Sequence, residues 1–404
     1  MNVHNPIQML AVPDAAKLRG TGPVSSRPYY DPAWWELERK AIFMRTWLHV
    51  GHVCEVPEPG SFIKREIEFA RASLLIVRGK DGAVRAFHNV CTHRGTQLVT
   101  EAEGKKAQFS CPYHMWTFAP DGKLLSAPDF ERFYVKKEDC SLKQVPCEVM
   151  AGMIFINFDP KPKEGLREFF DGIADQLETL PVARATHFSE YTYTMDANWK
   201  TVFDNFQENY HLKFVHPRTS SSILSKGNPL GYPTEYGFLG THRGQTLSLE
   251  LAEGYVTPPA LLQNAMIGRE IGANEGLQYP KIDFKSFPAL HFVGLAPNFY
   301  TQTMMPIDET HMRGQIRMYW TSGIEEASKL YFREFSQMSI RDVLAEDRPA
   351  IESAQRGLNS GAMEMIRFQD HEMLLRHLYE TVQEKVAEYL AEQHAGAAEP
   401  QGST

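Results

Sequence analysis

Only five cysteines punctuate the 404 residues, too few and odd in number for a disulfide framework. No apolar run is long enough to cross a bilayer, so no membrane role is expected. Positive charge is not in excess either: the formal net charge is -8, which argues against bulk attraction to nucleic acid. Residues 1–13 lack the basic stretch and apolar core of a secretory leader, and a cytoplasmic location is the corresponding expectation. Glycine-rich nucleotide-binding fingerprints and internal repeats are also missing. What remains is an ordinary globular composition, 43% hydrophobic and 23% charged, in a chain of a length that suits two domains.

The texture changes along the chain. Residues 1–30 are rich in Pro, Gly and Ser and read as an extended arm. Asp31-Pro32 is a helix start, an N-cap acid followed by proline at the first helical position, and the spacing of Trp35, Ile42, Phe43 and Trp47 predicts a helix to about Trp47. From 48 to 160 short apolar runs alternate with turn signals, Gly79-Lys80-Asp81-Gly82 and Ala119-Pro120-Asp121-Gly122, and Met153–Phe158 reads as a closing strand; this block is expected to be all-β. Residues 161–395 mix helical stretches (164–180, 199–215, 326–356, 370–392) with strands (186–194, 289–305, 310–321). That predicts an α+β domain with an antiparallel sheet and helices. Residues 396–404 read as a disordered tail, and residues 1–47 as an arm and helix packing on the second domain.

Two constellations carry chemistry. Cys91-Thr92-His93 is followed, after seventeen intervening residues, by Cys111-Pro112-Tyr113-His114. Two thiolates and two imidazoles make a four-ligand metal site, and zinc accepts that set. Each pair directly follows a strand, Ala86–Val90 and Gln108–Ser110, so both lie on loops at one end of a β-unit. An iron–sulfur cluster is the second occupant these loops allow. Cys140 and Cys147 have no histidine at ligand spacing, and Cys54, next to His52, has no second pair; all three are expected to be inert. The other constellation is Asn198-Trp199-Lys200 followed by Asn205, Glu208, Tyr210, His211 and His216. Five residues of ideal helix turn by about 500°, leaving two histidines about 140° apart, so they converge only if the helix ends between them. Pro217 disfavours helix at His216. Two histidines and one carboxylate with open positions is the ligand set of non-haem Fe(II) oxygenases.

Cys-x-His-Arg-Gly with Cys-Pro-Tyr-His-x-Trp, and N-W-K followed by N-x-x-(D/E)-x-Y-H-x-x-x-x-H, together resemble the Rieske non-haem iron oxygenases, the aromatic-ring-hydroxylating dioxygenase α-subunit family. The resemblance covers most of the chain. It implies a Rieske domain at 48–160, in which Cys91 and Cys111 hold one iron of a [2Fe–2S] cluster and His93 and His114 the other, and a catalytic domain at 161–395 holding one Fe(II). It supplies the third iron ligand as Asp347, on a late helix for which Pro349 fits the first turn and Gly357 the end; Glu346, Asp342 and Glu352 are the competing acids. It also implies that Glu208, on the helical face of His211, links a cluster histidine of one subunit to the iron histidine of its neighbour, and that Asn205 and Tyr210 support the site.

The implied function is the terminal component of an oxygenase system. Electrons from NAD(P)H arrive through a separate reductase, with or without a ferredoxin, and O₂ is the co-substrate. A homotrimer is expected, with or without a small β subunit. Leu224, Leu230, Phe238, Leu239, Leu261, Phe292 and Phe299 suit a small apolar or aromatic substrate, as in aromatic hydrocarbon catabolism. Glutamate at 208, where many ring-hydroxylating members have aspartate, is similar to members that attack quaternary ammonium compounds; oxidative demethylation or monooxygenation of a betaine- or carnitine-like molecule is the alternative, and similar aromatic residues would cage its ammonium. A pure electron carrier would need neither His211 nor His216, and a zinc-binding interaction protein would be colourless.

Overall fold

A computed structural model describes residues 9–216, 219, 227–246, 282–295, 298–320 and 327–398. Pro217, Leu224, Leu261, the first eight residues and the last six lie outside the described residues. Two compact units divide the chain: Phe43–Ala185, and Met1–Ile42 together with Thr186–Thr404. No helix among the described residues is long and apolar enough to cross a membrane.

The Phe43–Ala185 unit is mainly β. Its five-stranded sheet runs, in spatial order, Gln144–Val145, Val84–His88, Ala72–Arg78, Ser61–Ile67, Glu103–Lys105. Two three-stranded sheets complete it: Leu124–Ser126, Thr117–Phe118, Phe109–Ser110, and Cys147–Met150, Met153–Ile156, Leu48–His52. The expected hairpin forms, with Leu74 opposite His88 and Arg78 opposite Val84. At its tight turn Gly82 takes φ +81, a left-handed geometry that glycine adopts without steric cost. Phe62, Leu75, Phe87, Phe109, Trp116 and Phe118 pack around Cys91 and Cys111, so the two cysteine loops rest on a solid core.

The other unit centres on an eight-stranded antiparallel sheet. Its spatial order is Met9–Ala11, Glu235–Leu239, His242–Gln245, Ile282–Ser286, Leu290–Leu295, Asn298–Pro306, Met312–Trp320, His187–Met195. The helices Trp199–Asn205, Leu212–Val215, Ala327–Asn359 and Met373–Ala398 accompany it. The N-terminal helix Pro32–Glu38 is pinned here by a knot centred on the fully buried Glu38, Trp199 and Lys200. Glu38 accepts from Trp34 Nε1 and Trp199 Nε1, both at 2.9 Å, and pairs with Lys200 at 2.7 Å. Burial pulls the Lys200 amine below its ordinary value, while Glu38 opposes that shift. The start of the helix Trp199–Asn205 is therefore fixed by charges that have nowhere else to go.

Four expectations need correction. Residues 1–30 are not an extended arm: Met9–Ala11 adds an edge strand and Val12–Arg19 is helical, because the Ala15-Ala16-Lys17-Leu18 run favours helix despite the surrounding Pro and Gly. The helix begun by Asp31, whose carboxylate accepts from Ala33 N at 2.8 Å, is α-helical only to Glu38 and then widens to a π-type turn over Arg39–Phe43. Pro349 does not start a helix; it sits inside the 33-residue helix Ala327–Asn359, which also runs past Gly357. The last helix continues to Ala398, three residues into the presumed disordered tail, as its alanine-rich sequence permits.

One glycine in the sheet permits a close approach. Gly314 lies directly opposite Tyr193, and a Cβ there would fall 2.0 Å from the tyrosine Cζ. Gly314→Ala should therefore cost roughly 1–3 kcal/mol through overpacking. Thermal or denaturant unfolding should show a clear loss of stability, and an unchanged midpoint would refute the packing at this position.

Candidate functional site

The two cysteine loops are built alike. Cys91 N donates to Thr96 O (2.7 Å) and Gly95 N to Cys91 O (2.9 Å); Cys111 N donates to Trp116 O (2.8 Å) and Met115 N to Cys111 O (3.0 Å). The fifth position of each loop takes positive φ, +80 at Gly95 and +58 at Met115. A non-glycine residue there costs on the order of 1 kcal/mol, so the shape of the second loop is held against local strain. This repeat was invisible in the sequence because the histidine stands one place later in the second loop.

The rings of His93 and His114 meet edge to face at 4.6 Å, and His93 stacks on Trp116 at 5.0 Å. Desolvation, then the charges of His114 and Arg94, hold His93 below its ordinary value. Burial pushes the Cys91 thiol up, as does Cys111, against the amides of His93 and Arg94 that donate to its sulfur. Nδ1 of both histidines is buried without a hydrogen-bond partner among the described residues. Two imidazoles with idle nitrogens beside two buried thiols fit a metal cluster. The remaining cysteines fit none. Cys54 N donates to His52 Nδ1, Cys140 Sγ donates to Lys136 O, and burial pushes the Cys147 thiol up to about 12.

In the other unit, the helix Trp199–Asn205 ends and a single turn, Leu212–Val215, follows. His211 stands at its entry in helical geometry, and His216 leaves it at φ -113, ψ 57. The predicted loosening is thus present, and the rings meet at 5.2 Å. Asp347, fully buried, comes from the helix Ala327–Asn359: its Oδ1 is 2.8 Å from His216 Nε2 and 3.5 Å from His211 Nε2. One ligand atom from each of the three residues lies within 4.8 Å of the others.

Both histidines are held from behind. His211 Nδ1 donates to Glu208, and His216 Nδ1 donates to Glu346 Oε2 at 3.0 Å, an oxygen that Thr219 Oγ1 also approaches at 2.6 Å. Carboxylates only accept, so each Nδ1 carries the proton and each Nε2 turns its lone pair inward. Burial opposes a charge on His216, but Asp347 and Glu346 outweigh it and raise its pKa. Acids that favour a proton at this spot favour a cation equally. Among the described residues, His216 Nε2 and both carboxylate oxygens of Asp347 are buried without an aligned hydrogen-bond partner. A divalent cation at the centre satisfies all three, so these residues fit an iron ion.

Glu208 does not sit on a helical face. Residues 206–211 have left the helix, and its carboxylate instead caps the next turn, accepting from Tyr210 N and His211 N. Of the competing acids, Glu346 turns to the back of His216. Asp342 is exposed beside Arg341, and Glu352 pairs with Arg348 at 3.0 Å. Asn205 closes its helix with a buried Nδ2 lacking a partner among the described residues, and the Tyr210 ring is half exposed, stacked on Tyr232 at 6.3 Å. The role of Glu346 was missed. Its signal was adjacency to Asp347, since neighbouring helix positions point about 100° apart and can serve two different atoms.

Residues 182–388 match the model of the ring hydroxylating alpha subunit (catalytic domain), and residues 46–146 that of the Rieske [2Fe-2S] domain. The chain belongs to the ring-hydroxylating α-subunit family. As a member it carries a Rieske [2Fe–2S] cluster domain and a mononuclear-iron catalytic domain. It is 34% identical over 199 residues to the glycine betaine monooxygenase oxygenase subunit of Chromohalobacter salexigens, covering 49% of this chain and 44% of the relative. To the carnitine monooxygenase oxygenase subunit of Escherichia coli K12 it is 36% identical over 204 residues, 50% of this chain and 54% of the relative. The chain thus spans about half the length of the curated relatives it matches. Its fold is similar to a quaternary ammonium Rieske monooxygenase in complex with L-carnitine (TM-score 0.72, 24% identity, 93% of this chain and 99% of the other). It is similar also to a naphthalene 1,2-dioxygenase from Rhodococcus sp. (TM-score 0.69, 21% identity, 91% and 95%).

Substitutions separate the two centres. Cys111→Ser should abolish the visible absorption of the cluster. His211→Ala and Asp347→Ala should each lose one iron per chain while that absorption remains. Iron retained by Asp347→Ala at the wild-type level would move the ligand role to another acid.

Proposed function

We propose that this chain is the terminal oxygenase of a Rieske system and monooxygenates a quaternary ammonium compound. The observation that carries the oxygenase activity is the convergence of His211, His216 and Asp347 in a chain that also holds a Rieske domain. These three residues hold Fe(II); Cys91 and Cys111 bind one iron of the cluster, His93 and His114 the other. When bound, the two centres supply electron transfer and O₂ chemistry. The protein's share is to orient the ligands, through Glu208 and Glu346, and to exclude water from a buried carboxylate. Asn205 and Tyr210 support the segment between the helix and His211.

Between the two substrate expectations, an apolar or aromatic molecule and a quaternary ammonium compound, the relatives favour the second: the glycine betaine and carnitine monooxygenase subunits support it. Ring hydroxylation has a relative in its favour as well, the 2-aminobenzenesulfonate 2,3-dioxygenase subunit alpha of Alcaligenes sp, 33% identical over 198 residues. A cytoplasmic reductase and a homotrimer belong to the same proposal. Glu208 spans subunits in it, holding His211 with one oxygen and a cluster histidine of a neighbouring copy with its remaining acceptor capacity.

Incubation with a reductase, O₂ and trimethylammonium compounds should consume O₂ and release a demethylated or hydroxylated product. Turnover only of arenes would overturn the substrate class. Glu208→Gln should leave both metal centres loaded and the cluster reducible, yet cut turnover at least tenfold, because an amide offers one acceptor oxygen and presents NH₂ to the second imidazole N–H. Normal product yield in a single turnover of this variant would remove the bridge.

A further inference from the structure

The sheet face that carries Tyr193 and Gly314 continues across the strands as Tyr300 and Gln302, then His291, then Asp283 and Lys285, then Arg243 and Gln245, as the cross-strand pairs dictate. Tyr193 and Tyr300 are both close enough to Asp347 for its charge to raise their pKa, after the larger effect of burial. Tyr300 also feels Asp283. Gln302 donates to Tyr193 Oη at 2.7 Å, and Phe206, just before Glu208, faces His291 at 6.4 Å. This polar strip therefore begins beside the iron ligands and leads away from them.

At its far end two cations lie side by side. Arg243 and Lys285 are cross-strand partners, and both are fully buried. Lys285 Nζ has three donors and, among the described residues, gives one to Asp283. Arg243 gives Nε to Gln207 and Nη1 to Thr241 O at 3.4 Å, while its Nη2 is buried with no hydrogen-bond partner among the described residues. The acids nearby do not use up these donors. Burial alone would push Asp283 up, but Lys285 and His291 hold it well below its ordinary value; its oxygens are already taken by Lys285, His291 and Gln245. Asp204, on the other side of Arg243, is raised by burial to about 7 and accepts from Tyr29 and Gln207. Spare donors on two adjacent buried cations are costly unless an acceptor meets them.

The geometry points to Arg243 and Lys285 as an anion-binding end of the catalytic pocket, which takes the carboxylate of a zwitterionic substrate whose trimethylammonium end lies at the iron. The anionic end stands on these residues; the ammonium end rests on the proposed function. Lys285 is two strands from the strand that carries Tyr300 and Gln302, roughly 10 Å. A two-carbon betaine is short for that span, so the matching substrate has a longer chain between nitrogen and carboxylate.

Equilibrium titration of the iron-loaded, full-length protein tests this with three isosteric probes: γ-butyrobetaine, its uncharged-head analogue 5,5-dimethylhexanoate, and its carboxylate-free analogue butyltrimethylammonium. Lys285→Met should weaken the two carboxylates at least tenfold and leave butyltrimethylammonium unchanged, with Lys285→Arg recovering most of the loss. The double variant Asp283→Asn/Lys285→Met removes the cation without stranding a buried charge and should show the same selective loss. Carboxylate binding equal to wild type in both Lys285→Met backgrounds, equal loss of all three probes in the double variant, or no carboxylate binding by the wild type would overturn the anion site. Lysine-dependent binding of 5,5-dimethylhexanoate, with neither ammonium probe bound, would keep the anion site and sink the quaternary ammonium proposal instead.

Discussion

A carboxylate removed from water and from aligned hydrogen-bond donors is among the costliest groups a fold can carry, and Asp347 is in that position. The features around it follow from that cost. His216 and His211 turn their Nε2 atoms toward it, at 2.8 and 3.5 Å, so the three groups face one point. Glu346 and Glu208 stand behind the rings and fix which nitrogen is protonated, because a carboxylate there accepts only from an N–H. The helix Ala327–Asn359 supplies the rigid base. Pro349, two residues past Asp347, cannot donate to the Ala345 carbonyl, so the ladder loosens beside the ligand and not through it.

The two centres are built in different ways. The cysteine loops are local. Each closes on itself through backbone bonds within six residues, and both rest on the aromatic core of their own β unit. The proposed iron ligands, His211, His216 and Asp347, come from two separate segments that must meet within a fraction of an ångström. The buried Glu38–Lys200–Trp199 knot helps here. It fixes the helix Trp199–Asn205 at its start, and Gln355, from the long helix, accepts from Asn198 N at 2.9 Å and Thr201 Oγ1 at 2.8 Å. The same long helix thus carries Asp347 and holds the segment that leads to His211 and His216.

Legibility in the sequence tracks this difference. The Cys and His residues of the loops could be read because ligand spacing is a local property. His211 and His216 were readable with a condition attached, the break between them, which the exit of His216 from its turn supplies. Asp347 was reachable only through family resemblance, since nothing local distinguishes it from Glu346 and Asp342; burial does, and burial is set by the tertiary fold. The strands Glu235–Leu239, His242–Gln245 and Ile282–Ser286 were missed for a related reason. They bury Arg243, Gln245, Asp283 and Lys285, so the alternation that marks a half-buried strand is hidden by charges on the inward face.

Those inward charges bear on specificity. A hydrocarbon laid along this face would gain about 0.8 kcal/mol for each methylene it buries. It would also leave buried donors on Lys285 and Arg243 unmet, at about 1–3 kcal/mol for each such group. Two unmet groups would therefore offset several methylenes, and under the proposed anion site the face would discriminate against small arenes without any steric block. An acid at the far end of the substrate removes that penalty and fixes the other end at the metal ligands, so a single pair of cations can supply both selectivity and register.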